Sequence, residues 1–166
     1  MDRDEGFEEF YRATRHRVVT VLFALGGDLG EAQDAAQEAY VRAWQRWQRI
    51  GEYGDPEAWV RAVGHRLLMN RWRKIRNGIT AYRRHGPAAA VGPPSENTVA
   101  LVTALRQLPS EQREAVVLHH LTDLSVADIA LQTGVPVGTV KARLARGRKA
   151  LALLLGTTIS EEVSHA

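Results

Sequence analysis

The chain has 166 residues, 45% of them hydrophobic, and a net charge of +3, the composition of a globular protein with one domain or two small ones. With no cysteine, disulfides, thiolate metal sites and thiol catalysis are excluded. No apolar run approaches the ~20 residues needed to cross a bilayer, and the acidic opening MDRDEGFEEF is unlike a signal peptide, so the expected address is the cytoplasm, without direct membrane insertion.

Apolar residues at helical spacing (Phe7, Phe10, Tyr11, Val18, Leu22, Leu25) predict a first helix, which Gly26-Gly27 stops. A second helix is predicted over 31–50, with Ala32, Ala36, Ala39, Tyr40, Ala43, Trp47 and Ile50 as its apolar stripe and Gly51 as its C-cap. Asp34, Gln37, Glu38, Val41 and Gln45 share the opposite face, which by composition alone is a wet helix face. The loop GEYGD ends in Asp55 as N-cap and Pro56 at the first helical position, and the third helix runs to about residue 77.

That third helix interleaves aromatic and cationic groups: Trp59, Arg61, His65, Arg66, Arg71, Trp72, Arg73, Arg76. Arg61, His65, Trp72 and Arg76 are expected on one side, opposite Val63 and Leu67. Such a face suits an unpaired nucleic-acid strand, with rings stacking bases and arginines holding phosphates. Core packing competes, as the favoured role for Trp59 and an even alternative for Trp72.

Over 77–95 (NGITAYRRHGPAAAVGPPS) the helical period gives way to Gly, Pro and Ala, the pattern of a flexible linker. Beyond it, helices are predicted near 97–107, 110–121, 125–133 and 136–154. Ser110 and Ser125 are the expected N-caps, Ser125 forming a capping-box pattern with Asp128. The expected fold class is therefore all-α: two small helical domains, 1–77 and 97–155, joined by a linker over 78–96 and followed by a polar, fraying tail over 156–166.

Charge is spread unevenly. Between Arg61 and Arg84 there are basic residues and no acid, and the same holds between Ile129 and Ser160. Two such patches point to a polyanion touched at two places, whereas solvated faces usually mix both signs. The second patch lies in SVADIALQTGVPVGTVKARLARGRKAL, which reads as helix, tight turn at Gly134, then helix. This is the helix-turn-helix arrangement, whose second helix enters a major groove. Val137, Val140, Leu144, Leu151 and Leu154 are expected to face the core, with Thr139, Ala142, Arg143 and Arg146 clustered away from it. Lys141 and Arg148 flank the apolar stripe, where phosphate or solvent is expected rather than a base.

Catalytic constellations do not stand out. His119-His120 lacks the partners and spacing of a zinc site, and there is no Walker-type glycine loop. Neither a cofactor nor a small-molecule substrate is expected.

DAAQEAYVRAWQRW (34–47), AWVRAVGHRLLMNRWRK (58–74), a Pro/Gly linker, and LPSEQREAVVLHHLTDLSVADIALQTGVPVGTVKARLARGRKAL (108–151) together resemble the extracytoplasmic-function group of sigma-70 family sigma factors. The resemblance implies a non-enzymatic transcription initiation factor, built from regions 2 and 4, that binds core RNA polymerase and directs it to promoters. It implies that Asp34, Gln37, Glu38 and Val41 meet the clamp helices of the polymerase's largest subunit. Tyr53, Trp59, Arg61, Arg66, Trp72, Arg73 and Lys74 would then serve the melted −10 element. Thr139, Lys141, Ala142, Arg143 and Arg146 would read the −35 duplex. An anti-sigma protein is an implied partner. Arg66 and Asn70 stand where the family often has Asn and Asp; Asp123, Ala142 and Gly147 stand where it commonly has Gly, Ser and Ala. The competing function is a stand-alone helix-turn-helix regulator, which would bind a two-fold symmetric operator without polymerase.

Overall fold

The computed structural model describes residues 2–78 and 92–163, with side chains through Gly156. The secondary structure of these residues is entirely helical, so the protein is all-α. It divides into two compact units, Met1–Pro94 and Ser95–Ala166. Most of the expected linker, and the last residues of the expected tail, fall outside the described residues.

In the first unit, α1 (Arg3–Gly26) begins where the Asp2 side chain accepts from the Arg3 amide, and Asp4 and Glu5 in its first turn complement the helix dipole. It ends as Gly27 enters the left-handed region at φ 76°, returning its N–H to the Phe23 carbonyl. Val18, Val19 and 21–25 are buried, so the C-terminal half of α1 is the centre of the unit. The Asp28 side chain caps α2 (Leu29–Gln45), accepting from the Glu31 amide at 2.9 Å. Ala32, Ala35, Ala36, Ala39 and Ala43 are nearly or wholly inaccessible, and their small size lets α2 lie close against its neighbours.

The single helix expected over 31–50 is in fact broken. Arg46, at φ −115° and ψ 16°, interrupts it, and a short α3 (Trp47–Ile50) follows. The break turns Trp47 onto an aromatic cluster: its ring stacks on Phe10 with centroids 4.9 Å apart and meets Phe7 edge-on at 5.4 Å. Tyr11 and Tyr40 meet edge-on in the same cluster. The Tyr40 hydroxyl pairs with Thr14 at 2.7 Å, and burial pushes its phenol pKa up to about 12.

Asp55 and Pro56 open α4 (Pro56–Arg76) as expected, the Asp55 carboxylate accepting from the Ala58 amide at 2.9 Å. Val60, Val63, Gly64, His65 and Leu68 are buried. A methyl at Gly64 would stand 2.8 Å from Leu22, so the missing side chain is what lets α1 and α4 meet this closely. Burial of His65 and Val63 together overturns the expected division of α4 into a side carrying His65 and an opposite side carrying Val63: with α1 and α2 both packed against it, the helix is covered over more than one stripe.

In the second unit, the Ser95 hydroxyl caps α5 (Glu96–Arg106). Pro109, which has no capping side chain, precedes α6 (Ser110–His120); Ser110 is its first helical residue rather than its cap. Ser125 does cap α7 (Val126–Thr133), accepting from the Asp128 amide at 3.1 Å. Gly134, at φ 71°, makes the left-handed turn that a side chain would resist, and α8 (Val137–Val163) follows, running past the expected end at residue 154. Leu105, Val117, Ile129 and Val140 form the centre of this core, each worth ~1.5–3 kcal/mol by burial. Gly147 closes the α6–α8 contact, since a Cβ there would lie 2.6 Å from Val116.

Candidate nucleic-acid interface

On α2, Gln37 and Val41 are exposed, Asp34 and Glu38 half-buried. Glu38 is not a free acid: it accepts from Arg42 at 2.6 Å and lies 3.6 Å from Arg71 of α4. Trp44, one turn beyond Val41, is 46% exposed, extending the same face. Arg3 holds it by donating to the Trp44 carbonyl at 2.9 Å, with its guanidinium 5.6 Å from the ring centroid. Sequence periodicity missed Trp44; the signal was its place three residues after the exposed Val41.

The loop at 51–55 is exposed throughout, Tyr53 included. Where α4 begins, Arg61 is tied down, 3.7 Å from Glu57 and 4.0 Å from Asp55, while Glu57 also binds Arg17 at 2.9 Å. Trp59 is half-buried and walls a cleft of about 330 Å³ together with Arg42, Gln45, Arg46, Ala62 and Arg66. Trp72 is engaged in packing: it lies against Gly26 of α1, and its indole N–H donates to Glu31 of α2 at 3.2 Å. Trp59, for which packing was the favoured role, lines a cleft, and Trp72, for which packing and strand contact stood even, joins helices. Arg66, Arg73, Lys74 and Arg76 are exposed, with Arg73 donating to Asn70 at 2.8 Å.

On α8, Val140 and Leu144 are buried as expected, but Val137 is 41% exposed. Lys141 and Arg146 face solvent, whereas Thr139, Ala142 and Arg143 are half-buried. Arg143 stands one turn before the buried Gly147, and its guanidinium is drawn to within 3.6 Å of Glu111 on α6. The outward surface at the start of α8 is therefore Gly138, Lys141, Ala145, Arg146 and Lys149, turned about one residue step from the cluster expected from periodicity. The second unit also carries an apolar groove of about 520 Å³ between Leu101, Leu105, Leu121, Leu151 and Leu155. On its rim Arg148 Nε donates to His120 Nε2 at 2.9 Å. Burial, then Arg148, then His119 hold the His120 pKa below its ordinary 6.5.

Two helical units, one carrying a helix-turn-helix and the other an acid-poor helix beside an aromatic cluster, define a class of DNA-directed transcription proteins. Residues 10–78 match Sigma-70 region 2, and residues 98–151 match Sigma-70, region 4. The extracytoplasmic-function (ECF) RNA polymerase sigma factor SigC of Mycobacterium tuberculosis is 32% identical over 149 residues, covering 87% of this chain and 80% of its own. SigL of the same species is 32% identical over 149 residues, with 84% of each chain covered. Among solved structures, the sigma factor RpoE in its complex with the anti-sigma factor NepR from Bartonella quintana has a TM-score of 0.65 at 21% identity, over 90% of this chain and 96% of that one. The chain belongs to the sigma-70 family, in its ECF group, whose members are transcription initiation factors rather than enzymes.

Proposed function

We propose that this sigma factor binds core RNA polymerase through the outer face of α2 and reads promoter DNA with both units. In this reading Asp34, Gln37, Glu38 and Val41 contact the polymerase clamp helices, with Trp44 added to the same face. The loop at 51–55 and α4 take the melted −10 strand through Tyr53, Trp59, Arg66, Arg73 and Lys74. The start of α8 lies in the −35 major groove, with Lys141 and Arg146 outermost and Thr139, Ala142 and Arg143 nearer the protein. Trp72 and Arg61 support this surface from beneath.

The single observation that carries the reading is the exposure of acid-free cationic helix surface on each unit: Arg66, Arg73, Lys74 and Arg76 on α4, Lys141, Arg146 and Lys149 on α8. Two such surfaces on one chain suit two contacts with one polyanion. RpoE, a sigma factor of similar fold, is known in complex with the anti-sigma factor NepR, and CnrH, also similar in fold, in complex with the cytosolic domain of CnrY. An anti-sigma partner is proposed for this chain too, as is action in the cytoplasm, where polymerase works.

The test is to add the protein to core polymerase and a library of promoter fragments and score run-off transcription. Specific initiation supports the reading, and tight binding of a palindrome without polymerase would replace it with a stand-alone regulator. Val41→Glu should weaken association with core polymerase at an unchanged melting temperature, because Val41 is exposed. Arg146→Ala should reduce initiation only at promoters that need the −35 element.

A further inference from the structure

Of the cations at the start of α8, Lys141 and Arg146 face solvent and Arg143 is turned inward. Lys141 and Arg146 are exposed and, among the described residues, have no carboxylate within 4.0 Å. The Arg143 side chain is 22% exposed, and the carboxylate it meets is Glu111 of α6, at 3.6 Å. Helix phase gives the reason. At about 100° per residue, Arg143 stands ~60° from Val140 and ~40° from Gly147, both buried, whereas Lys141 and Arg146 stand ~100–120° from each. Arg143 thus occupies the edge of the packing face, beside α6.

The dipole of α6 accounts for an acid at Glu111, in its first turn. It does not account for an arginine among the packing positions of α8. What the pair adds is a limit on roll. Gly147 brings α8 close to Val116 and Gln112 of α6, yet it offers no side chain to stop α8 turning about its own axis. Arg143 lies one turn earlier on α8, and Glu111 one residue before Gln112 on α6, so their ion pair spans the edge of that close approach. A roll of ~20°, at the ~6 Å radius of a helix with its side chains, carries Lys141 or Arg146 by ~2 Å. Hydrogen bonds to phosphates and base edges do not survive such a displacement.

We infer that Glu111 is a positioning residue for −35 reading: through Arg143 it fixes the roll of α8 so that Lys141 and Arg146 meet the DNA together, and Arg143 itself makes no DNA contact. The inference rests on the proposed function and deepens it. It divides the cations of α8 by task and adds an acidic residue of α6 to the reading apparatus.

The experiment uses the full chain assembled with core polymerase and a duplex promoter fragment recovered in the run-off selection, beside the same fragment with its −35 element substituted. Both affinities are measured across a salt series for wild type, Glu111→Gln, Arg143→Gln, the double variant and Lys141→Gln. Lys141→Gln should flatten the slope of log K against log salt by ~0.9, the share of one duplex phosphate contact, while Glu111→Gln and Arg143→Gln keep the wild-type slope. Each of these two should instead lower the ratio of the two affinities by about fivefold, the upper worth of an exposed ion pair, and the double variant by no more than either alone. Damage to the fold weakens both fragments alike and leaves the ratio where it was, and thermal melting of the same samples monitors it. A slope flattened by Arg143→Gln as much as by Lys141→Gln would place Arg143 on a phosphate. A wild-type ratio in Glu111→Gln would show that α8 holds its roll without the pair. Either result overturns the inference and leaves the sigma-factor reading intact. Failure of the wild type to bind the promoter with polymerase would remove that reading, and the inference with it.

Discussion

Trp72 and Glu31, 41 residues apart, are joined by an indole N–H to carboxylate hydrogen bond of 3.2 Å that ties the end of α4 to the first turn of α2. The same ring covers Gly26, with Cζ2 at 3.1 Å from where a Cβ would be, so one side chain fastens α4 to α1 and α2. Trp72→Phe keeps a ring but loses the bond to a charged acceptor and part of the packed volume. It should destabilise the first unit by roughly 2 kcal/mol. The check is urea unfolding of wild type and variant beside run-off transcription. Normal stability combined with lost promoter opening would return Trp72 to a direct role on DNA.

Gly147 and Gly138 lie in the same helix and should respond to alanine in opposite directions. At Gly147 the new methyl would meet Val116 at 2.6 Å and the Gln112 carbonyl at 3.2 Å. Overpacking of this kind costs ~1–3 kcal/mol, which outweighs the ~1 kcal/mol gained in helix propensity. At Gly138 nothing lies within 4 Å, so only propensity acts, and stability should rise by up to ~1 kcal/mol. Shifts of the same sign in the two melting curves would show that the α6–α8 contact yields without cost.

These cases also show what the sequence could and could not reveal. Local chemistry was legible: Asp55-Pro56, Ser125 with its capping box, Gly26-Gly27 and Gly134 each mark an observed helix boundary or turn. The break at Arg46 was not, because Ala43, Trp47 and Ile50 stay in phase across it and the ring that Trp47 meets, Phe10, is distant in sequence. Gly64 and Gly147 carry no apolar signal, yet each marks where another helix comes closest. Periodicity therefore missed how far α4 is covered, and it misplaced the outward face of α8. Nothing in the sequence pattern brings Arg42 and Arg46 to the same cleft as Arg66 of α4.

Asp123 is the only non-glycine residue with positive φ among the described residues, at 56°, in the turn after α6. This is a backbone conformation that glycine adopts without strain. The left-handed region costs an ordinary L-residue ~1–2 kcal/mol, though Asp tolerates it better than most. Glycine removes that strain but gives back ~0.4–1 kcal/mol by loosening the unfolded chain. Asp123→Gly should therefore stabilise the second unit slightly, by roughly 0.5 kcal/mol, while Asp123→Ala should destabilise it by about 1 kcal/mol. Chemical denaturation of the three proteins decides it, and an alanine variant as stable as wild type would mean that the turn relaxes out of the left-handed region.

The Arg148–His120 hydrogen bond makes the second unit sensitive to pH. Arg148 donates at 2.9 Å, so His120 Nε2 must accept, which it can do only when unprotonated. Burial, the Arg148 charge and the neighbouring His119, whose ring lies edge-on with centroids 4.9 Å apart, all disfavour the imidazolium. The folded unit therefore binds a proton at His120 less readily than the unfolded chain, whose histidine titrates near 6.5. The stability this contributes is complete above about pH 6.5 and is lost as pH falls through that value toward the depressed folded pKa. His120→Gln keeps an acceptor for Arg148 and cannot be protonated. Between pH 7 and pH 5 the wild type should lose more melting temperature than this variant, the difference isolating His120 from the other histidines. Parallel losses in the two proteins would show that Arg148 finds another partner when His120 is charged.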